Sequence, residues 1–317
     1  MNETYNPGLQ TQPSVAFVTC AKLGGLTEDD ALASAALQAM GFRVEAVAWD
    51  RPGHAWQRHA AVVLRSCWDY FHRPDEFLAW VDRVEAGSTL MLNPPAIIRS
   101  NYDKHYLRDL EVSGIPIAPT YWCDRRTSVN VAEVLERCGW DRAVIKPTVS
   151  GTSLHTWIAS RATAATDADA LNLLLQQRPM MMQKYLPEIE KGEWSLIFIE
   201  GRFSHAVVKH PVEGEFRVQN EFGGTVSPRI PSHAVKQQAT AVLRQVDMDL
   251  LYARVDGVVV DGLFTLMELE LIEPALFFAE DPEAARRFAL ALAARIRIAP
   301  ADMLTRRTIA STPKRSA

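Results

Sequence analysis

Hydrophobic and polar positions follow two alternating periods along the first third of the chain. Short apolar-rich runs at 14–20, a buried type, at 42–48 and at 60–64 predict strands. Stretches 29–40 and 74–84 place apolar residues at helical spacing, the second at Phe77, Leu78, Trp80 and Val81. Strands alternating with helices predict a small parallel α/β layer. After the break at Asn93-Pro94-Pro95, a helix is expected over 101–112, with Asn101 as its cap and Gly114 as its stop. The pattern then predicts an extended segment at 117–122, an amphipathic helix at 129–138 closed by Gly139, a strand at 142–147, a helix at 167–176 and a buried strand at 180–186. An antiparallel pair at 193–199 and 202–209, a glycine-bearing segment at 213–224 and helices at 232–246 and 281–296 complete the reading. Beyond Pro300 the chain is basic and rich in Ser and Thr, which predicts a disordered, solvated tail.

The stretch between Leu251 and Phe277 organises the rest. A Val-rich run over 252–260 and an alternating run over 263–271 flank Asp261-Gly262, a hairpin signal. Period-two alternation puts Glu268 and Glu270 on one face, and Asp256 reaches the same face across the hairpin. Three carboxylates converge only if a cation neutralises them, and hard oxygen ligands suit magnesium held together with nucleotide phosphates. The alternative is a solvated face on an edge hairpin.

Three further stretches carry candidate chemistry. Arg65, Ser66, Trp68, Asp69 and Tyr70 follow the third strand, and parallel layers bind ligands at the carboxyl ends of their strands. They would orient a polar small molecule; alternatively Trp68 and Tyr70 pack under a loop while Arg65 pairs with Asp69. Lys146 ends a strand ahead of a small, hydroxyl-rich loop containing Ser150, Gly151, Thr152 and Ser153. Its amides would wrap phosphate oxygens while the lysine supplies a point charge, although P-loop spacing is absent and an ordinary hairpin is the alternative. Gln183, Lys184, Tyr185 and Leu186 run into Pro187 behind Met180–Met182, a bend whose backbone suits an adenine edge or, alternatively, a plain core strand.

Composition narrows the function. The 317 residues, 48% hydrophobic, suffice for two or three domains, and a net charge of -4 from 34 basic and 38 acidic residues disfavours nucleic acid and anionic membranes as partners. Cys20, Cys67, Cys123 and Cys138 show no paired spacing, which argues against a zinc site or a disulfide framework and for a reduced setting. Without an apolar leader or a bilayer-length run, a cytoplasmic location is expected.

Taken in order, these residues resemble the ATP-grasp superfamily, in particular its glutathione synthetase-like and D-alanine ligase-like members. The likeness rests on Lys104, Lys146 and its loop, Gln183 to Pro187 followed by Gly192-Glu193, Arg217 and Asn220, Arg254 to Asp256, and Glu268 to Glu270 with Pro274. The stretch Arg65-Ser66-x-Trp68-Asp69-Tyr70 resembles the branch that forms D-cycloserine. The resemblance implies a mixed α/β (α+β) ATP-grasp fold: a parallel pre-ATP-grasp layer at 12–98, a lid region at 99–185, an antiparallel C-terminal domain at 186–300 and a tail at 301–317. It also implies ATP and Mg2+ as cofactors. Lys104 and Lys146 would hold phosphates, Lys184 and Leu186 adenine, and Glu193 the ribose. Asp256, Glu268 and Glu270 would bind the metal, Arg217 and Arg254 the transferring phosphoryl group, and Asn220 the substrate. Two departures stand out: Glu270 occupies a common asparagine position, and Ser195 replaces a basic residue. The implied activity is ATP-dependent activation of a carboxylate on a small amino-acid-like substrate, followed by amide-type bond formation. Ring closure on an O-ureido-serine, an ATP sensor without chemistry and a kinase are the alternatives. The oligomeric state stays open, a homodimer being the commonest symmetric assembly.

Overall fold

The computed structural model describes residues 12–87, 89–219, 222–247 and 249–310. The N-terminal layer is a parallel sheet of β1 (Ser14–Thr19), β2 (Arg43–Ala48), β3 (Ala61–Ser66) and β4 (Met91–Leu92), in the order β2-β1-β3-β4. β1 and β3 are buried along their whole length, which explains their unbroken apolar runs. Helix α1 (Glu28–Ala39) is capped by Thr27, whose hydroxyl accepts from the Asp30 amide at 3.0 Å, and α2 (Pro74–Ala86) begins at the proline that fixes its first turn. Phe77, Trp80, Val81 and Val84 of α2 pack with Val18 and Leu64 of the sheet.

On this layer His59 is 4% exposed, with Ser14 Oγ 2.9 Å from its Nδ1 and His54 Nε2 2.9 Å from its Nε2. Burial pushes the imidazole down to about 4 from an ordinary 6.5, against the pull of Glu45. Between those values the folded protein binds fewer protons than the unfolded chain, so stability is lost as pH falls through this window. The melting temperature should therefore decline between pH 6.5 and 4, and His59→Gln should flatten that decline; an unchanged profile in the variant would remove His59 from the account.

One helix was expected over 101–112, but the chain forms α3 (Pro95–Asn101) and α4 (Tyr106–Val112) with a turn between them. Asn101 is not a cap. Its side chain donates to Leu269 O and accepts from Leu271 N, both at 2.9 Å, so a distant strand takes the groups that capping would have used. Lys104 consequently sits in the turn rather than in a helix.

The region expected to form a lid is an antiparallel sheet of β5 (Thr120–Cys123), β6 (Arg142–Pro147), β7 (Trp157–Ser160) and β8 (Met180–Lys184), in the order β5-β8-β6-β7. Helices α5 (Val131–Cys138) and α6 (Ala164–Leu175) bury Val134, Leu135, Leu171 and Leu175 in one core with Met180 and Met182. The C-terminal sheet, order β11-β10-β9-β12-β13, is antiparallel throughout: β9 (Glu193–Ile199), β10 (Arg202–His210), β11 (Thr225–Pro228), β12 (Tyr252–Val260) and β13 (Leu263–Glu270). Helix α7 (His233–Leu243) packs through Val235, Ala239 and Val242. Helix α8 (Ala284–Ala310) returns to the N-terminal layer, where Phe288 meets Phe17 edge-on at 6.2 Å. It continues past Pro300, so the tail expected to be disordered is helical as far as Ala310, and residues 311–317 lie outside the described residues.

Asn93 locks the layers together. Its amide donates to Tyr252 O at 2.9 Å and Leu271 O at 2.8 Å while accepting from Leu251 N at 2.7 Å. The four cysteines are free, and no described helix is long and apolar enough to cross a membrane.

Candidate active site

A cleft of about 480 Å³ opens where the lid, the C-terminal sheet and the N-terminal layer meet. Its floor is one face of the C-terminal sheet. The Asp261-Gly262 turn adopts positive φ at both positions, 49° and 84°, as a two-residue hairpin requires, and it sets the register of β12 against β13. A bulge between Asp256 and Gly257 then shifts that register by one residue, so that Arg254 lies opposite Glu270 and Asp256 opposite Glu268. On the neighbouring strands Glu193 faces Lys209, and Ser195 faces Asp256.

The charges on this face are paired. Asp256, 2% exposed, accepts from Ser195 Oγ at 2.7 Å, from Arg254 Nε at 3.0 Å and Nη2 at 2.9 Å, and from Lys209 Nζ at 3.3 Å. Lys209 also binds Glu193 at 2.9 Å, and Arg254 also binds Glu270. Lys104 Nζ reaches across from its turn to Glu268 at 3.2 Å and donates to Ser150 O at 2.9 Å, tying the β12–β13 hairpin to the loop after β6. Arg254 and Lys209 hold the Asp256 carboxyl near 2, outweighing the upward push of burial. Burial lowers the Lys146 ammonium, with Glu268 pulling the other way.

The lid loop lies over the N-terminal layer. A β-carbon on Gly151 would meet the Phe71 ring at 2.6 Å, so glycine is what lets the loop approach. Thr152 and Ser153 adopt left-handed φ of 47° and 57°, a conformation that turns backbone amides off the strand direction. At the bend after β8, Lys184 N already donates to Pro119 O at 2.8 Å, and Arg142 stacks on Tyr185 at 3.9 Å. Lys184 therefore cannot offer its amide to an adenine edge; its carbonyl remains a candidate.

Of the residues singled out from the sequence, Trp68, Tyr70, Lys104, Lys146, Ser150, Gly151, Thr152, Ser153, Gln183, Lys184, Tyr185, Leu186, Glu193, Arg217, Arg254, Asp256, Glu268 and Glu270 all line this cleft. Asn220 lies outside the described residues. Arg65, Ser66 and Asp69 are not in the cleft wall, and their assignment to substrate is corrected. Arg65 is 1% exposed and bound to Asp30 at 2.8 Å, not to Asp69; Ser66 Oγ donates to Thr19 at 3.2 Å; Asp69 accepts from Trp49 Nε1 at 2.7 Å. These side chains engage most of their polar atoms with buried partners, although the Arg65 Nη1 is left buried without one.

The expected convergence of Asp256, Glu268 and Glu270 on a metal is also revised. They share a face, but side-chain cations neutralise them. Among the described residues, the one trio with ligand atoms mutually within 4.8 Å is Glu45, His54 and His59, outside the cleft, where Glu45 is already paired with Arg43, Arg51 and Arg58. The side chains of Glu268 and Glu270 remain 30% and 26% exposed toward the cleft, which fits a magnesium ion bound through one or two carboxylates and completed by phosphate and water. Asp256 is saturated and enters such a sphere only by giving up Arg254 or Lys209. Arg217, at the rim, is engaged by Glu215 at 2.6 Å.

Lys209 and Glu273 line the cleft, and the buried Ser195 supports it through Asp256, although the sequence alone assigned a site role to none of them. Lys209 lies opposite Glu193 only because a bulge between Phe203 and His205 shifts β10 by one residue, which spacing along the chain does not reveal. Glu273 follows the strand, where alternation no longer indicates direction.

A lid whose lysine-bearing loop closes on a carboxylate-bearing antiparallel sheet defines an ATP-grasp enzyme. Family models agree: residues 15–93 match the D-cycloserine synthetase DcsG N-terminal domain, and residues 120–274 match the prokaryotic glutathione synthetase ATP-grasp domain. The chain belongs to the ATP-grasp carboxylate-amine ligases, in the family of DcsG, and is an ATP-dependent ligase. It is 30% identical over 275 residues to the cycloserine biosynthesis protein DcsG of Streptomyces lavendulae, covering 83% of this chain and 92% of that protein. A glutathione synthetase of Prochlorococcus marinus is 28% identical over 200 residues, covering 61% of this chain and 60% of the relative. The crystal structure of D-cycloserine synthetase DcsG superposes with a TM-score of 0.80 at 30% identity, over 89% of this chain and 99% of that one. D-alanine–D-alanine ligase from Bacillus anthracis shares the fold, with a TM-score of 0.64 at 14% identity over 92% of this chain and 99% of that one.

Proposed function

We propose that this cleft binds magnesium-ATP together with a small amino-acid-like substrate, activates a substrate carboxylate as an acyl phosphate and joins it to a nitrogen nucleophile, releasing ADP and phosphate. The observation that carries this reading is Lys104, which touches both the lid loop at Ser150 and the hairpin at Glu268. A triphosphate lying between lid and hairpin would meet Lys104, Lys146 and the amides of Ser150 to Ser153. Gln183, Tyr185, Leu186 and the Lys184 carbonyl would border the base, and Glu193 would accept from the ribose. Glu268 and Glu270 would hold magnesium, which when bound neutralises phosphate charge as the phosphoryl group moves. Arg254 would hand over its carboxylates to the incoming ion and stabilise the developing charge, and Arg217 would act from the rim. The lid excludes water that would hydrolyse the acyl phosphate.

Because the match to DcsG takes in the N-terminal layer as well as the ATP-grasp region, the second reading is intramolecular: ring closure on a serine-derived amino acid such as O-ureido-serine. A coupled ADP-release screen over amino acids and O-substituted serines tests the class, and product masses separate one ring from two joined substrates. ATP binding without stimulated ADP release would leave a sensor; a stable phosphorylated product would leave a kinase. In the same assay Lys146→Met should raise the KM for ATP by about 10- to 100-fold, because a charge-assisted contact to phosphate is lost. An unchanged KM would remove Lys146 from the phosphate site.

A further inference from the structure

Five consecutive carbonyls after β13 are each held by a side-chain donor. Trp68 Nε1 donates to Glu273 O at 3.0 Å, Arg65 Nη2 to Pro274 O at 3.2 Å, and Arg254 Nη1 to Ala275 O at 3.0 Å. His205 Nε2 takes Leu276 O at 2.8 Å and Phe277 O at 3.2 Å. The donors come from β3, the loop after it, β10 and β12, so this short segment is clamped by both the N-terminal layer and the C-terminal sheet. A loop fixed by so many separate elements holds its side chains in place before any ligand arrives.

The clamp places the Glu273 side chain in the cleft wall with Trp68 and Tyr70. The other cleft carboxylates have cationic partners: Glu193 has Lys209, Asp256 has Arg254 and Lys209, Glu268 has Lys104, and Glu270 has Arg254. Glu273 has none among the described residues. We propose that the Glu273 carboxylate receives the substrate's ammonium group and makes this cleft select amino acids over their deaminated analogues. The inference rests on the ligase reading above and specifies how its substrate is recognised. Burial, with Glu270 and Glu268 nearby, pushes the Glu273 carboxyl up to about 8 against the pull of Lys104. A cationic ligand group supplies the partner that this acid lacks, through a charge-assisted hydrogen bond. Trp68 and Tyr70 line the same cleft.

The test is ADP release with pairs of probes, each an amino acid or O-substituted serine and its 2-hydroxy-acid analogue, in wild type, Glu273→Gln and Glu273→Asp. Wild type should prefer the amino member, and Glu273→Gln should erase most of that preference by raising the KM of the amino member about 10- to 150-fold. Glu273→Asp, which keeps the charge, should recover part of it. Magnesium-dependent ATP binding and the melting temperature should stay near wild type in both variants. If wild type turns over neither member of any pair, the ligase reading falls and takes this inference with it. Wild-type turnover with the amino preference intact in Glu273→Gln overturns the Glu273 assignment alone. Loss of magnesium-dependent ATP binding in Glu273→Gln would assign the carboxylate to the metal and overturn it equally.

Discussion

Glu268→Gln should lower ADP release at saturating ATP by about 100- to 1,000-fold, the scale on which one preorganised electrostatic contact to a transferring group acts. The substitution keeps the side-chain shape and removes the charge that a magnesium ion needs from a hard oxygen ligand. Lys104 loses its 3.2 Å ion pair but keeps Ser150 O at 2.9 Å, so the lid loop stays anchored. The melting temperature should accordingly move little while the magnesium concentration for half-maximal turnover rises. Turnover within about threefold of wild type would mean that no transition-state contact had been lost and would end the metal assignment for Glu268.

Asp30→Ala should destabilise the fold by about 3–5 kcal/mol, the penalty for leaving a buried charge without its partner. Asp30 and Arg65 are 2% and 1% exposed, and the Asp30 carboxylate is the acid within salt-bridge reach of that guanidinium among the described residues. Arg65 also lies among the rings of Tyr252, Phe278 and Phe288 at 5.4 to 5.7 Å, which gives its charge a partial substitute but no route to water. The same guanidinium grips Pro274 O, so loosening it frees the segment that carries Glu273. Urea unfolding of Asp30→Ala checks the energy. The double replacement Asp30→Leu with Arg65→Met should recover much of it, since replacing a buried pair by apolar side chains is often neutral. A loss below about 1 kcal/mol in Asp30→Ala would place the pair with ordinary surface bridges.

The outcome at Arg65 also shows which kind of residue a sequence misassigns. A dense polar stretch past a parallel strand reads as a ligand site, and Trp68 and Tyr70 do reach the cleft. Arg65, Ser66 and Asp69 instead satisfy partners in α1, β1 and the loop after β2, positions that no local spacing reveals. Asn101 failed in the same manner, read as a helix cap and found bridging to β13. A side chain with several donors and acceptors goes to whichever buried group the tertiary fold leaves unpaired.

By themselves the residues determined the strand and helix periods, the Asp261-Gly262 hairpin, the common face of Glu268 and Glu270, and the order of motifs that marks an ATP-grasp ligase. The periods, the hairpin and the shared face depend on neighbours two to ten positions apart, a range over which backbone geometry dictates direction, and the motif order is read from the chain itself. Only the tertiary structure decided that Asp256 is saturated by Ser195, Arg254 and Lys209, that Lys104 links the loop after β6 to the hairpin, and that Glu273 is left without a cation among the described residues. Those outcomes depend on distances between separate layers, where charge pairing is settled by packing rather than by spacing along the chain.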